Sequence, residues 1–272
     1  MSTLENKTVI ITGASAGIGA ACARLLARQK ARLALVARGE VALNKIADEL
    51  GAETEVMAIA LDVADTDACM KMLSQVEQRF GAIHILINNA GTHIRGNVDT
   101  LKPEDLAIMA DVNFRAPLVL TAAVIPYIKK SGGGAIIMVA SLAGRAPLQG
   151  AATYSASKAG LRAFTYAIAD ELSSESIKVG MVSPGPVDTG FIMDEIDKVD
   201  DIVYSQKMST ATEVAEAILQ LISGDRTEIA IPAAAGKMTT LMYLFPSVRR
   251  WVRPLLQKKG RKNKLKYKKE AE

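Results

Sequence analysis

Over the first 230 residues, short apolar runs alternate with longer stretches whose apolar positions recur at helical spacing. The short runs, at residues 8–12, 32–37, 55–60, 84–88, 134–140, 178–183 and 228–231, read as strands. Between them lie helical segments. Residues 161–172 repeat apolar side chains at helical spacing, and residues 211–222 open after Thr210, an N-cap residue type, with Glu213 three residues on. Strand and helix in alternation predict a parallel sheet with helices on both faces, an α/β doubly wound fold of seven strands in one domain. The composition shifts only near Lys237, so residues 1–236 read as one domain and residues 237–272 as an amphipathic, basic extension.

The 272 residues are 49% hydrophobic and 23% charged, enough apolar mass for a substantial core, which excludes disorder and fibrous repeats. Cys22 and Cys69 lie far apart with no CxxC, so neither a disulfide framework nor a cysteine-based zinc site is expected, no metal is assigned, and a reducing, cytoplasmic setting follows. The start, MSTLENKTVI, lacks a basic stretch followed by an apolar run, so no secretion signal is expected. No uncharged apolar run approaches the roughly 20 residues of a bilayer span, and none is expected. The formal charge of +4 is uneven: from Arg249 onward eleven basic residues face Glu270 and Glu272, a net +9, leaving −5 on residues 1–248. A mildly acidic body gives no indication of nucleic-acid binding.

Chemistry enters at the end of the first strand, where Thr12-Gly13-Ala14-Ser15-Ala16-Gly17-Ile18-Gly19 leads into an alanine-rich helical pattern. Glycine is required where the backbone turns tightly and where a Cβ would hold a diphosphate away from a helix N-terminus, whose free N–H groups favour an anion. Dinucleotide binding is the leading reading, with an ordinary turn as its rival. At the end of the second strand, a carboxylate would bond the 2′-hydroxyl of NAD, and an arginine would pair with the 2′-phosphate of NADP. The chain has Ala37-Arg38-Gly39 there, which favours NADP(H), with Glu40 as a rival ribose ligand that leaves NAD(H) as the alternative. Further on, Tyr154-Ser155-Ala156-Ser157-Lys158 sets a phenol and an ammonium four residues apart, on one face of a helix. A phenol of ordinary pKa about 10 is a poor base unless a cation supports its phenolate, and Lys158 would supply that cation.

With these motifs stand Asp62-Val63 after the third strand, Asn88-Asn89-Ala90-Gly91 after the fourth, Asn113, Ser141, and Pro184-Gly185 followed by Val187 and Thr189. In this order and spacing, across about the first 232 residues, the chain resembles the short-chain dehydrogenase/reductase family in its single-domain form, with a Rossmann-type fold. The resemblance implies a catalytic set in which Ser141 holds the substrate oxygen and Tyr154 is the general acid or base. Lys158 would support Tyr154 and hold the nicotinamide ribose, and Asn113, on the long fourth helix, would support a proton-relay water. It further implies cofactor contacts at Gly13, Ser15, Gly17, Ile18, Gly19, Arg38, Asp62, Val63, Asn89, Ala90, Gly91, Tyr154, Lys158, Pro184, Gly185, Val187 and Thr189. Asp62 would bond the adenine amine, Asn89 the ribose region and Thr189 the nicotinamide amide. One departure is Ala16, where some NADP-dependent relatives carry a basic residue inside the turn, so the NADP(H) reading rests on Arg38. The implied activity interconverts a secondary alcohol and a ketone, in a homodimer or homotetramer. The alternative of another class is a nucleotide-binding scaffold or redox-sensing protein of this fold without turnover.

Past Pro232, Leu241, Leu244, Phe245, Val248, Val252, Leu255 and Leu256 recur at helical spacing among basic residues, with Pro246 and Pro254 expected to interrupt or kink any helix. Two readings stand. The stripe lies on an anionic membrane surface, or it packs on the chain's own body or a second subunit and leaves residues 258–272 as a disordered tail. An apolar cover beside residues 190–208, the implied substrate lid, suits a lipid- or steroid-like substrate. The lid itself mixes Phe191, Ile192 and Met193 with Asp194, Glu195, Asp197, Asp200 and Asp201, and carries no arginine cluster that would announce an anionic substrate.

Overall fold

The computed structural model describes residues 4–271, with the side chains of Glu270 and Ala271 left out; Met1–Thr3 and Glu272, inside the expected domain bounds, lie outside the described residues. In chain order the strands are β1 (Thr8–Thr12), β2 (Arg32–Ala37), β3 (Val56–Ala60), β4 (Ile85–Asn88), β5 (Gly134–Val139), β6 (Ile177–Pro184), β7 (Val187–Asp188), β8 (Ser209–Thr210) and β9 (Glu228–Ile231). The helices are α1 (Gly17–Arg28), α2 (Glu40–Leu50), α3 (Thr66–Phe80), α4 (Pro103–Ala110), α5 (Ala116–Lys130), α6 (Ala152–Glu171), α7 (Gly190–Met193), α8 (Ala211–Ser223), α9 (Ala233–Leu244) and α10 (Pro246–Ala271). The seven expected strands are all present, displaced by at most a residue at their ends. They form one parallel sheet in the order β3-β2-β1-β4-β5-β6-β9, and β7 and β8 make a separate two-stranded ribbon.

The strands are apolar on successive positions because both sheet faces are covered. Ile11, Leu35 and Val182 face one core with α1 and α8, while Ile10, Leu86 and Met181 face the other with α3, α5 and α6. The Thr210–Glu213 capping box opens α8 as its sequence predicts. The strand order reverses between β1 and β4, and in such sheets the crevice beyond the carboxyl ends of the strands at that switch receives ligands.

Two elements differ from expectation. Asn113, expected on a plain long helix, lies on a π turn, Asp111–Arg115, that joins α4 to α5. The joined run Pro103–Lys130 is, by length and composition, apolar enough to cross a membrane, yet it lies against the sheet with Val112, Ala116, Leu120, Val124 and Ile128 in the core. In the extension, α9 begins at Ala233, ahead of the composition shift, and α10 runs as one helix through residue 271. Pro246 separates α9 from α10 and opens the latter, a first-turn position that needs no backbone donor. Pro254 sits inside α10 on its exposed side and does not interrupt it.

Candidate active site

The turn after β1 is shaped by what a side chain would strike. Gly13 has φ +66°, and a Cβ on it would come within 2.9 Å of the Ala90 Cα; a Cβ on Gly19 would meet the Gly13 carbonyl at 2.1 Å. The Thr12 hydroxyl accepts from the main-chain N–H groups of Asn89 and Ala90, both at 3.0 Å. The Asn89 amide donates to the carbonyls of Thr12 and Gly13 at 2.8 and 3.1 Å, so this residue, expected at the ribose, also clamps the turn. The N-terminus of α1 has no side-chain cap and no acidic residue in its first turn, so its N–H groups stay available to an anion. Thr189 closes over the turn: a Cβ on Gly17 would lie 3.4 Å from its methyl.

Along the same crevice, Arg38 follows β2 with 69% of its side chain exposed and 4.0 Å from the Asp62 carboxylate. Asp62 accepts from the Ala64 N–H, Val63 is buried beside it, and Glu40 opens α2. The cavity joining these groups to Tyr154 has a volume of about 890 Å³ and is lined by Gly13, Ser15, Gly17, Ile18, Arg38, Asp62, Val63, Asn89, Ala90, Gly91, Pro184, Gly185, Val187 and Thr189. Gly19 stands behind the turn, against Gly13 and Asn89, rather than on the cavity wall. An elongated dinucleotide with a diphosphate at α1 fits this trough.

Tyr154 and Lys158 stand one turn apart on α6, and Ser141 follows β5 as the cap of the turn Leu142–Gly144. The Ser141 hydroxyl accepts from Ala143 N–H at 3.1 Å and lies 3.4 Å from the Pro184 carbonyl. The buried Lys158 ammonium donates to the Val139 carbonyl at 2.8 Å and lies 5.9 Å from the Tyr154 ring centroid. Burial brings its pKa down to about 8. The Asn113 side chain, fully buried, accepts from Thr92 N–H and donates to Thr92 C=O, both at 2.8 Å. Gly91 lies between the two: a Cβ there would be 3.2 Å from Asn113 Oδ1 and 3.7 Å from Lys158 Nζ.

Two residues absent from the sequence reading join this group. The His93 ring stacks on Tyr154 with centroids 4.3 Å apart and planes 14° from parallel. An Arg95 guanidinium nitrogen sits 2.6 Å from His93 Nδ1. Guanidinium only donates, so Nδ1 is the acceptor and the imidazole is neutral; burial and then Arg95 push its pKa down to about 3. Arg95 also donates to the Phe191 carbonyl at 2.8 Å and pairs with Glu195 at 3.2 Å, tying this loop to the lid. Burial raises the Tyr154 phenol above its ordinary pKa, while the Ser141 hydroxyl and the Arg95 charge pull it back. Arg95 is thus a cation, not foreseen in the sequence, that opposes the rise. In the sequence, the only trace of this was a histidine and an arginine two residues apart after Gly91.

The lid, residues 190–208, holds a small core of Ile192, Val199, Tyr204 and Met208, with Tyr267 of α10 packed against it. Its acids answer the basic extension. Arg253 pairs with Asp200 at 3.0 Å, Arg261 and Lys264 pair with Asp201 at 3.1 and 3.4 Å, and Lys268 pairs with Asp197. Asn263 donates to the Tyr204 carbonyl at 2.9 Å, and Gly260 lets the helix approach so closely that a Cβ would fall 1.8 Å from the Asp201 carbonyl. Residues 258–271, a disordered tail in one of the two readings of the extension, are instead helical and clamp the lid. Several of the extension's apolar residues turn the other way: Leu241, Leu244, Phe245, Trp251 and Leu255 are each more than half exposed.

Comparison with known proteins identifies the family. The family model described as short chain dehydrogenase matches residues 7–200. The ketoacyl reductase HetN of Nostoc sp. is 34% identical over 236 residues, 85% of this chain and 80% of that relative. An NADP-dependent 3-hydroxy acid dehydrogenase of Schizosaccharomyces pombe is 34% identical over 227 residues, 80% of this chain and 88% of that relative. The crystal structure of a short-chain type dehydrogenase/reductase from Mycobacterium marinum matches with a TM-score of 0.77 at 30% identity, covering 84% of this chain and 94% of that one. With the glycine turn, the switch-point cavity and these relatives in agreement, the chain belongs to the short-chain dehydrogenase/reductase family, NAD(P)-binding oxidoreductases that act on CH–OH and C=O groups.

Proposed function

We propose that this oxidoreductase uses NADP(H) to interconvert a secondary alcohol and a ketone on a hydrophobic substrate, running as a reductase in the cell. The observation that carries the reading is the convergence of Ser141, Tyr154 and Lys158 on one cavity with an exposed Arg38 at its nucleotide end. Arg38, Ser15 and the α1 N-terminus would hold the cofactor's phosphates, and Thr189 would hold its nicotinamide amide. Bound NADPH supplies the hydride. The Ser141 hydroxyl orients the carbonyl oxygen beside the phenol, and Tyr154 donates a proton to that oxygen. A phenol raised by burial is protonated at neutral pH, which suits the reductive direction. Lys158 stands ready to return the proton, and Asn113 fixes the Thr92 main chain beside it to support a water path to solvent.

An apolar wall of the cavity, including Leu148, Met238 and Met242, favours a lipid- or steroid-like ketone. The relatives named a ketoacyl reductase and an NADP-dependent 3-hydroxy acid dehydrogenase support alcohol–carbonyl interconversion, and the second also supports NADP(H). The exposed apolar side of α9 and α10 is proposed to rest on an anionic membrane surface, flanked by Arg250, Lys258 and Lys262. Ile108 and Tyr166, exposed on α4 and α6, fit a homodimer or homotetramer through those helices. The two cysteines, free and buried, suit a reducing cytoplasm. Replacing Tyr154→Phe is expected to lower ketone reduction by about a thousandfold while leaving NADPH binding intact; steady-state rates beside a fluorescence titration check both.

A further inference from the structure

The lid's two lysines, Lys198 and Lys207, do not line the cavity, but cations of the extension do. Beyond Tyr154 the cavity continues between the lid and the C-terminal helices, walled by Leu148, Ile202, Val203, Met238, Met242 and Leu256. Methionine and branched aliphatic side chains adapt to a flexible hydrocarbon and offer it no hydrogen bonds. The cavity wall also includes Arg249, Arg253 and Lys259, all from α10. Their surroundings separate them. Arg253 is spent on Asp200, whereas Arg249, half-buried, and Lys259 have no carboxylate partner among the described residues. The lid carboxylates that could neutralise them are engaged: Asp197 by Lys268, Asp200 by Arg253, and Asp201 by Arg261 and Lys264. Asp194, which also lines the cavity, folds back over Gly190. Half-buried Arg249 and exposed Lys259 therefore border, without a carboxylate partner, the same largely apolar cavity that Tyr154 lines.

We infer that the substrate is an anionic amphiphile, a ketone on a hydrocarbon chain whose negatively charged head, a carboxylate or phosphate, is held by Arg249 and Lys259 while the chain lies along the methionine-lined wall. This deepens the proposed function and rests on it for the fate of the ketone. The recognition itself is a property of the cavity: a half-buried guanidinium gains a charge-assisted bond that a neutral head cannot give it. The head group could reach these cations from a dissolved molecule or from a bilayer, and the same chemistry serves both.

The test uses the full chain with NADPH and two long-chain ketones that differ only at the far end, one a free carboxylate and the other its methyl ester. Wild type is expected to favour the acid by about tenfold in kcat/KM, and the double variant Arg249→Glu/Lys259→Glu is expected to erase that preference through KM. A preference unchanged in the variant, or absent in wild type, overturns the inference. Binding of a fluorescent long-chain carboxylate is measured in parallel and needs no turnover. Charge-dependent binding with neither ketone reduced would refute the proposed reaction while upholding the head-group site; equal binding by wild type and variant would refute the site. A third arm presents the ketones as monomers and in phosphatidylcholine or phosphatidylglycerol vesicles. A preference already present for the monomer supports recognition of the substrate's own head, and one that arises only on anionic vesicles assigns the cations to the bilayer and overturns the inference.

Discussion

In the proposed function, Arg38 carries the choice between nicotinamide cofactors with little help from its neighbours. It is exposed, it pairs only loosely with Asp62, and the glycine turn contributes Ala16 in place of a second cation. Arg38→Ala is therefore expected to weaken NADPH binding by about tenfold to a hundredfold, the worth of a charge-assisted contact, and to leave NADH almost unaffected. Fluorescence titration with both nucleotides reads this directly, and an equal loss for both would remove Arg38 from the specificity account. Arg38, like the residues of the glycine turn and the Tyr154/Lys158 pair, was legible in the sequence because its chemistry lies within a local motif. His93 and Arg95 were not legible, since their meaning comes from Tyr154 and Phe191, residues brought near only by the fold.

At the level of elements, the strands and the α8 cap were readable because a covered parallel sheet imposes apolar runs and a capping box has a fixed spacing. The ordering of the extension was not, because its cause is the pairing of residues 253–268 with residues 197–201, a charge match between segments some sixty positions apart. Glu228, which opens β9, is a similar case: a charged residue at a strand boundary that proves almost fully buried. Its carboxylate bonds Ser183 and Tyr166 and pairs with Arg145 and Arg162. Burial pushes its pKa up, but these donors win and hold it below the ordinary carboxylate value. A group depressed in the folded state stabilises the fold above its unfolded pKa and loses that contribution as pH falls through the folded value. Glu228→Ala, which leaves two arginines without their shared partner, is expected to cost about 3 kcal/mol at neutral pH and less in acid. Urea unfolding across that pH range measures both, and a cost independent of pH would contradict the ionic account.

For the whole molecule, the cavity at the sheet's switch point is closed at its other end by the extension, which turns Met238, Met242, Leu256, Arg249 and Lys259 to the cavity and leaves Leu244, Phe245, Trp251 and Leu255 exposed. Sedimentation with anionic vesicles is expected for the intact chain and is expected to fall sharply in Phe245→Ser/Trp251→Ser, which spares the ion pairs to the lid. A wild-type chain that ignores vesicles but self-associates through this face would make it a subunit contact instead. The reaction itself is tested most directly by supplying NADPH labelled with deuterium at the transferable position together with a long-chain ketone, and analysing the alcohol by mass spectrometry. Deuterium is expected on the carbinol carbon with wild type and almost none with Tyr154→Phe. NADPH bound tightly, with no labelled alcohol from any of a broad set of ketones, would contradict it and leave a nucleotide-binding protein without turnover.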